Sequence, residues 1–418
     1  MRNKHCTSWF SMVRLWAIMY VFSYLVFPGL KYFDEEWVSV PVLFERTVVP
    51  GAIFLALLGF LAFLFGYNTS SLAPIRSTKL TRSILRQERI WLLWLGTLSA
   101  AALIPLWAVR SYGIDFLLFH RDEAFRGEGI TVFLSSTLIN YSSVFALLLF
   151  RFRKSKLVLA VQAVFVLLSS FGSRGLLVVF LLGLGMMSFE GGRRRSILKR
   201  SRLKPFTRYA AIGMCVFTTF GLVFLRQSED ITVYAAKRAL TNTFEEGEMF
   251  SLVRAQYSNH LLHGQTIWDI RYIFLPRQLF PNKPFIYGKA AFEQDLGLMD
   301  IYSPDDPLLG ASSVFGQLSE LYANFGATGI VFGMFAWGLI YASIERFRET
   351  PADSLSFFVY LQLSFYQLWF FRHGFLGMVQ SMIIPLLLAP IFVKLAYART
   401  STAHAAFAVW PALCPPSR

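Results

Sequence analysis

Two polar stretches, LPRQLFPNKP at residues 275–284 and GQLSELYANFG at residues 316–326, decide how this chain is interpreted. The first lies within residues 226–325 and the second at their end, in a mostly polar segment of a chain that is otherwise repeatedly hydrophobic. A loop of that length without secondary structure would be unusual, so we expect the segment to fold. We interpret the hydrophobic runs around it as membrane spans that hold it over a substrate.

Local patterns divide the segment into three parts. Pro276, Pro281 and Pro284 preclude a long helix in its centre. Apolar residues among charges over residues 243–262 predict a helix that lies on the membrane surface or on the helix bundle. Residues 312–325 are also predicted to be helical and to run into the following span.

The composition points to a polytopic membrane protein. Of the 418 residues 55% are hydrophobic and 17% aromatic, while only 16% are charged. A soluble domain of this length has no reason to carry so much apolar surface. The three cysteines, Cys6, Cys215 and Cys414, lie far apart, without metal-ligand spacing, and make a poor disulfide framework.

Ten hydrophobic runs approach the roughly 20 apolar residues that a membrane span needs. They predict an all-α bundle of ten transmembrane helices. Spans 1–7 fall in residues 1–225, and spans 8–10 in residues 326–398. A retained first span is expected, because no small-x-small cleavage site follows the basic N-terminus. Residues 399–418 form a tail, expected to be disordered. The ten spans are predicted at residues 15–30, 47–67, 90–109, 131–150, 157–171, 175–189, 209–225, 327–344, 355–371 and 378–396.

Charge supports this topology. With the N-terminus inside, the inside segments carry 25 of the 40 basic residues and only 5 of the 25 acidic ones. The basic runs are therefore interpreted as topology signals and contacts to anionic lipid, and a nucleic-acid partner is not expected. Residues 226–325 then lie on the outer side of the membrane.

Two arginines are candidates for anion binding. Arg174 lies between two short hydrophobic runs, and Arg372 lies in the short turn before His373 that separates the last two spans. Both positions are predicted to lie within the membrane or close to it, where an arginine is energetically costly unless it is paired or functional. On the same side of the membrane, the two guanidiniums would suit a multiply charged anion such as pyrophosphate. The alternative is that each arginine merely anchors its turn.

The polar segment adds further candidates. Glu320 shares a helix face with Asn324, and it is interpreted either as a general base toward a sugar hydroxyl or as an ion-pair partner of Arg277 or Arg372. Arg277 and Lys283 bracket the proline-rich turn, and Arg254 is a weaker cation of the same type. Histidines, His373 among them, are alternative bases. No nucleotide-binding motif is present, and no metal site is expected.

Four short motifs resemble one family. Residues 276–284 and the run from Glu320 to Gly329 are similar to motifs of the bacterial O-antigen polymerase (Wzy) type, which polymerises oligosaccharide repeat units. The latter looks like that family's Glu-x-Tyr-x-Asn-Phe-Gly-x-x-Gly signature, which adds Tyr322 and Asn324 to the expected substrate-binding residues. The turns at Arg174 and Arg372 also look familiar, and the layout matches over nearly the whole chain.

The resemblance implies a GT-C-like, inverting glycosyltransferase that needs no metal or other cofactor. Its substrates would be undecaprenyl-pyrophosphate-linked oligosaccharides at the periplasmic face of the bacterial inner membrane, with both termini in the cytoplasm. Membrane lipids and a chain-length regulator would be its further partners. The residues leave open an O-antigen ligase of similar chemistry, a lipid-linked oligosaccharide flippase or other transporter, and a glycan-binding protein without activity. A transporter is disfavoured because no internal repeat is visible.

Overall fold

The described part of the chain folds almost entirely into helices. The computed structural model describes residues 12–33, 46–71, 83–85, 87–113, 129–153, 155–169, 180, 183–184, 244, 246–273, 316–347 and 355–399. The helices are α1 (Met12–Val21), a π-helical turn (Phe22–Val26), α2 (Phe27–Phe33), a 3₁₀ turn (Arg46–Val48), α3 (Val49–Ser71), α4 (Gln87–Tyr112), α5 (Gly129–Arg153), α6 (Lys156–Ser169), α7 (Glu246–Gln256), α8 (Gln265–Trp268), α9 (Ile270–Ile273), α10 (Gly316–Phe347) and α11 (Leu355–Ala396). Among the described residues, one antiparallel pair joins the strands β1 (Ser83–Leu85) and β2 (Tyr397–Arg399).

Six of these helical stretches are long and apolar enough to cross a membrane, which indicates a multi-pass membrane protein. Two shorter apolar helices, Lys156–Ser169 and Leu355–Tyr366, coincide with two more of the ten predicted spans. The predicted spans at 175–189 and 209–225 lie almost wholly outside the described residues, as does the tail from residue 400. The six stretches are Met12–Phe33, Arg46–Thr69, Arg89–Tyr112, Leu134–Phe152, Gly316–Phe347 and Gly377–Ala396.

The chain divides into two compact units. Unit 1 comprises Met1–Ala73, Ser188–Ser343 and Ser364–Ile383, and unit 2 comprises the remaining residues. In unit 1 the core is aromatic: the Trp16 ring stacks on Phe63 with centroids 3.8 Å apart, and both rings contact Tyr341. Helices α3 and α10 approach so closely that a Cβ on Gly66 would overlap the carbonyl oxygen of Phe335. Small residues permit such close helix packing in membranes.

Unit 2 has α5 at its centre, where residues 144–149 are all fully buried. A polar network joins three helices inside it: Trp94 Nε1 donates to Gln162 Oε1 (2.9 Å), and Gln162 Nε2 donates to the hydroxyls of Ser142 and Ser143. The β1–β2 pair places the start of α4 and the end of α11 together. Those two points therefore lie close together in space, and the predicted topology, which puts both on the inner side, stays a prediction.

Helix α10 reverses direction at Gly326, where φ is 63° and ψ is −150°. In a straight helix, Leu321 and Gly333 would lie about 18 Å apart along the axis. Instead, the side chain of Leu321 lies against Gly333, and its carbonyl oxygen lies against Gly329. Residues 316–325 are therefore helical, as predicted, but they fold back along the span rather than continuing straight into it. This φ/ψ region is essentially restricted to glycine.

Helix α11 is a hairpin of two helical arms. Gly374 has φ 70° and ψ −167°, which no helix interior allows. A continuous helix would separate Phe358 from Tyr397 by about 58 Å. Their ring centroids are 5.8 Å apart, so the chain turns back on itself. The reversal predicted at residues 372–374 is thus found.

The predicted helix over 243–262 is α7, and it lies against the bundle of unit 1. Seven of its eleven residues are buried, including Glu246, Glu248 and Phe250. A Cβ on Gly247 would overlap the carbonyl oxygen of Ser23, so α7 lies directly on the first span. Part of the polar segment is therefore integrated into the core rather than resting over it.

Candidate functional site

Three chain segments of unit 1 meet at the Glu320 carboxylate. The Thr266 hydroxyl, at the start of α8, donates a hydrogen bond to Oε1 at 3.0 Å. The backbone N–H of Phe375, the first residue after the α11 reversal, donates a hydrogen bond to Oε2. Glu320 is only 7% exposed. Its two oxygens thus join α8 to the amino end of the second α11 arm, where a negative charge is favoured by the helix dipole.

Asn324 extends this network one turn along α10. Its Nδ2 donates to Thr266 Oγ1 and to the Glu320 carbonyl oxygen, both at 2.7 Å. The N–H of Leu262 donates to the carbonyl oxygen of Ala323 at 2.8 Å, which satisfies the end of this helical segment. The predicted i, i+4 relation of Glu320 and Asn324 is found, and both side chains are buried.

Gly374 lets the α11 reversal pass directly beside Glu320. A Cβ at this position would overlap Glu320 Oε2. Its positive φ is also unfavourable for a residue with a side chain. The close contact between carboxylate and backbone therefore depends on glycine for two separate reasons.

Replacing Gly374 by alanine is expected to lower the free energy of unfolding by about 2 kcal/mol or more, from backbone strain plus the displaced carboxylate. Gly113 is the control for positive φ, since its φ is 81° and no atom of the described residues lies within 4 Å of the position that a Cβ would take. Gly113→Ala pays the strain alone. The test is thermal unfolding of the two purified variants in detergent, and equal midpoints would show that the Glu320 contact contributes nothing.

Arg372, on the first arm of the same hairpin, pairs with Glu246 of α7. Its Nε donates to Glu246 Oε1 at 3.1 Å. Glu246 is fully buried, whereas the Arg372 side chain is 36% exposed. The aromatic ring of the adjacent Phe371 packs edge-on against Tyr24 of the first span, with centroids 5.6 Å apart. The hairpin turn is thus fixed on one side by Glu320 and on the other by Glu246.

A second buried ion pair lies on the same turn of α7. Lys31 Nζ, near the end of the first span, donates to Glu248 Oε2, and both side chains are sealed from solvent. A buried ion pair needs such close geometry because both charges have lost their hydration. The first turn of α7 therefore presents two carboxylates to two different cations.

The other predicted site residues that the structure describes have clear surroundings. Arg254 Nη1 donates to the carbonyl oxygen of Val48 at 2.9 Å, so this cation holds the start of α3. The Tyr322 ring packs edge-on against Phe250, with centroids 6.1 Å apart. Their roles as substrate contacts stay predictions. Arg174, Arg277, Lys283 and the side chain of His373 lie outside the described part of the structure.

Sequence reasoning missed Glu246, Glu248, Lys31 and Thr266. The available signal was weak: two acidic residues at the start of a helix are favoured by its dipole and carry no functional meaning by themselves. The salt bridge described for Arg372 is with Glu246, and the predicted pairing of Glu320 with Arg277 or Arg372 stays a prediction. Each of these two carboxylates holds a different part of the hairpin.

The described residues contain no cluster of three or more histidine, cysteine, aspartate or glutamate side chains that could hold a metal ion. The candidate site of unit 1 is the set of residues joined by the contacts above: Glu320, Thr266, Asn324, Arg372 and Glu246. Comparison of the chain with protein-family models, with curated proteins and with solved structures finds no match.

Proposed function

We propose that this protein is a polymerase that joins undecaprenyl-pyrophosphate-linked oligosaccharide units into a bacterial surface polysaccharide. One observation carries the proposal. The Glu320–Asn324 motif and the Arg372 turn, which both resemble O-antigen polymerases, are joined by the hydrogen bond from Phe375 N–H to Glu320. They are 55 residues apart in sequence at that contact. A polar motif and a cationic turn that assemble on apolar helices suit a lipid-linked, anionic substrate.

In the proposed reaction, a hydroxyl of one repeat unit attacks the anomeric carbon of the sugar attached to pyrophosphate on a growing chain. The new glycosidic bond forms as the bond from that carbon to the pyrophosphate oxygen breaks. Undecaprenyl pyrophosphate leaves with the electron pair, and the hydroxyl proton passes to a base or to water. The partly exposed Arg372 supplies positive charge for the leaving group. Arg174 is proposed as the second such cation.

For Glu320 we propose that the carboxylate mainly positions the hairpin. Both of its oxygens already accept hydrogen bonds from the protein. Service as a general base would require the substrate hydroxyl to reach a carboxylate that is only 7% exposed. The positioning role uses the contacts as they stand.

The finer layout belongs to the same proposal: ten spans of GT-C type in the inner membrane, with both termini in the cytoplasm and residues 226–325 in the periplasm. The six apolar stretches support it, and so does the pairing of β1 with β2, which brings the α4 start and the α11 end together. Accessibility labelling of single cysteines placed at exposed positions such as Gln265 and Leu395 would test the sidedness.

The functional test uses the purified full-length protein in lipid nanodiscs with isolated lipid-linked repeat units as the only substrate. A ladder of longer lipid-linked glycans is expected, and an Arg372→Ala variant at the same concentration is the matched negative control. Glycan extension that requires added lipid A core would identify a ligase. Transfer of intact units across vesicle membranes without extension would identify a flippase, and either result would overturn the proposal.

A further inference from the structure

We infer that Glu246 is a positioning residue that fixes the Arg372 guanidinium for binding the pyrophosphate group of the substrate. The inference rests on the proposed function, because it takes Arg372 as the phosphate-binding group. Glu246 itself is fully buried and contacts Arg372 Nε. Glu246 belongs to none of the motifs identified in the sequence.

The contrast between the two ion pairs of α7 is the first argument. Lys31 and Glu248 are both sealed, which suits a purely structural pair. Arg372 and Glu246 are different: the carboxylate is buried while about a third of the arginine side chain stays open. A partly exposed cation that is held by a buried carboxylate can still receive an anion.

The point of attachment is the second argument. Glu246 accepts from Nε, the nitrogen nearest the Arg372 backbone. A guanidinium is planar, so a fixed Nε–H direction limits the orientation of the whole group. Two rigid parts of the protein hold the pair: the Phe371 ring against Tyr24, and the turn against Glu320. The arginine therefore loses little freedom when an anion binds.

The second Glu246 oxygen is the third argument. Oε2 is buried and makes no hydrogen bond among the described residues. Burial of a carboxylate oxygen without a donor is unfavourable, so stability alone does not explain this residue. A side chain that costs stability yet points a cation outward is typical of a functional site.

Two variants at position 246 distinguish the effect of side-chain length from the effect of side-chain charge. Glu246→Gln keeps an oxygen acceptor within reach of Nε and loses the negative charge. Glu246→Asp keeps the charge, but its shorter side chain pulls the carboxylate away from Nε. Positioning therefore predicts that aspartate does more damage than glutamine. A role in neutralising the arginine predicts the reverse, because only glutamine would then alter the local potential.

The experiment measures binding of inorganic pyrophosphate to the purified full-length protein by calorimetry, together with KM and kcat for lipid-linked donor. Glu246→Asp is expected to weaken pyrophosphate binding about tenfold and to raise KM more than it lowers kcat, whereas glutamine costs about two- to threefold. In an Arg372→Ala background, the aspartate change should add less than about twofold. Ser251→Ala, which removes a buried hydroxyl from the same helix, is the control for local disturbance.

Equal losses for aspartate and glutamine, or an undiminished effect of aspartate without Arg372, would overturn the inference. So would a wild-type protein that shows no Arg372-dependent binding of pyrophosphate. A protein that makes no polymer but binds pyrophosphate with this Glu246 and Arg372 dependence would overturn the proposed function and support the inference. Normal polymer formation with no response at position 246 would do the opposite.

Discussion

Under the proposed function, Glu320→Ala is expected to abolish polymer formation, while Glu320→Gln is expected to retain it to within about tenfold of wild type. Alanine removes the acceptor of both the Phe375 N–H and the Thr266 hydroxyl. Each buried group left without a partner costs about 1–3 kcal/mol, so the hairpin beside Arg372 should lose its fixed position. Glutamine keeps a carbonyl oxygen for Phe375 and can donate to Thr266.

The measurement is the glycan ladder at matched protein level, with thermal unfolding of each variant in detergent. Thr266→Ser is the control, since it keeps the hydroxyl that Glu320 binds. A glutamine variant that unfolds at the wild-type temperature but makes no polymer would contradict the positioning role. That result would establish Glu320 as the general base.

Lys31→Met is expected to have the largest effect on stability, a loss of about 3–5 kcal/mol in the free energy of unfolding. The substitution leaves Glu248 buried next to an apolar side chain with its charge no longer balanced by Lys31. Replacing both partners, as Lys31→Met with Glu248→Leu, should recover most of the loss because no charge is then buried. Thermal unfolding in detergent and the yield of folded protein provide the two measurements.

The Lys31 prediction also separates structure from function. The double variant lacks the ion pair but keeps Glu246 and Arg372 on their helices, so its polymer ladder should return with its stability. A single variant as stable as wild type would show that this pair contributes nothing. A double variant as unstable as the single one would show that the two charges act outside the pair.

Local rules predicted the parts of this site that depend on neighbouring residues. Hydrophobic runs indicated the spans, and helical spacing placed Glu320 and Asn324 together. The polar turn between two apolar runs indicated the reversal at residues 372–374. Each of these features is set within one or two helical turns of the residues concerned, so a single sequence contains the necessary information.

The sequence could not predict which residues contact each other across long separations in the chain. Arg372 had several acidic residues within conceivable reach, and the one it binds is 126 residues away. Gly326 looked like part of a continuous helix, because its reversal depends on Leu321 packing against Gly329 and Gly333. Arg254 was predicted as a candidate substrate-binding cation, and nothing in the sequence shows that it donates to the Val48 carbonyl.

The long separations at the hairpin also have a consequence for how the protein is made. Translation at roughly 5–20 residues per second puts about 6–25 seconds between synthesis of Glu246 and of Arg372. Glu320 likewise precedes its donor at Phe375 by 55 residues. Neither carboxylate can therefore form its contact until the last hairpin has been synthesised and has inserted into the membrane. A nascent chain that stops before Arg372 retains the earlier helices but cannot close the site.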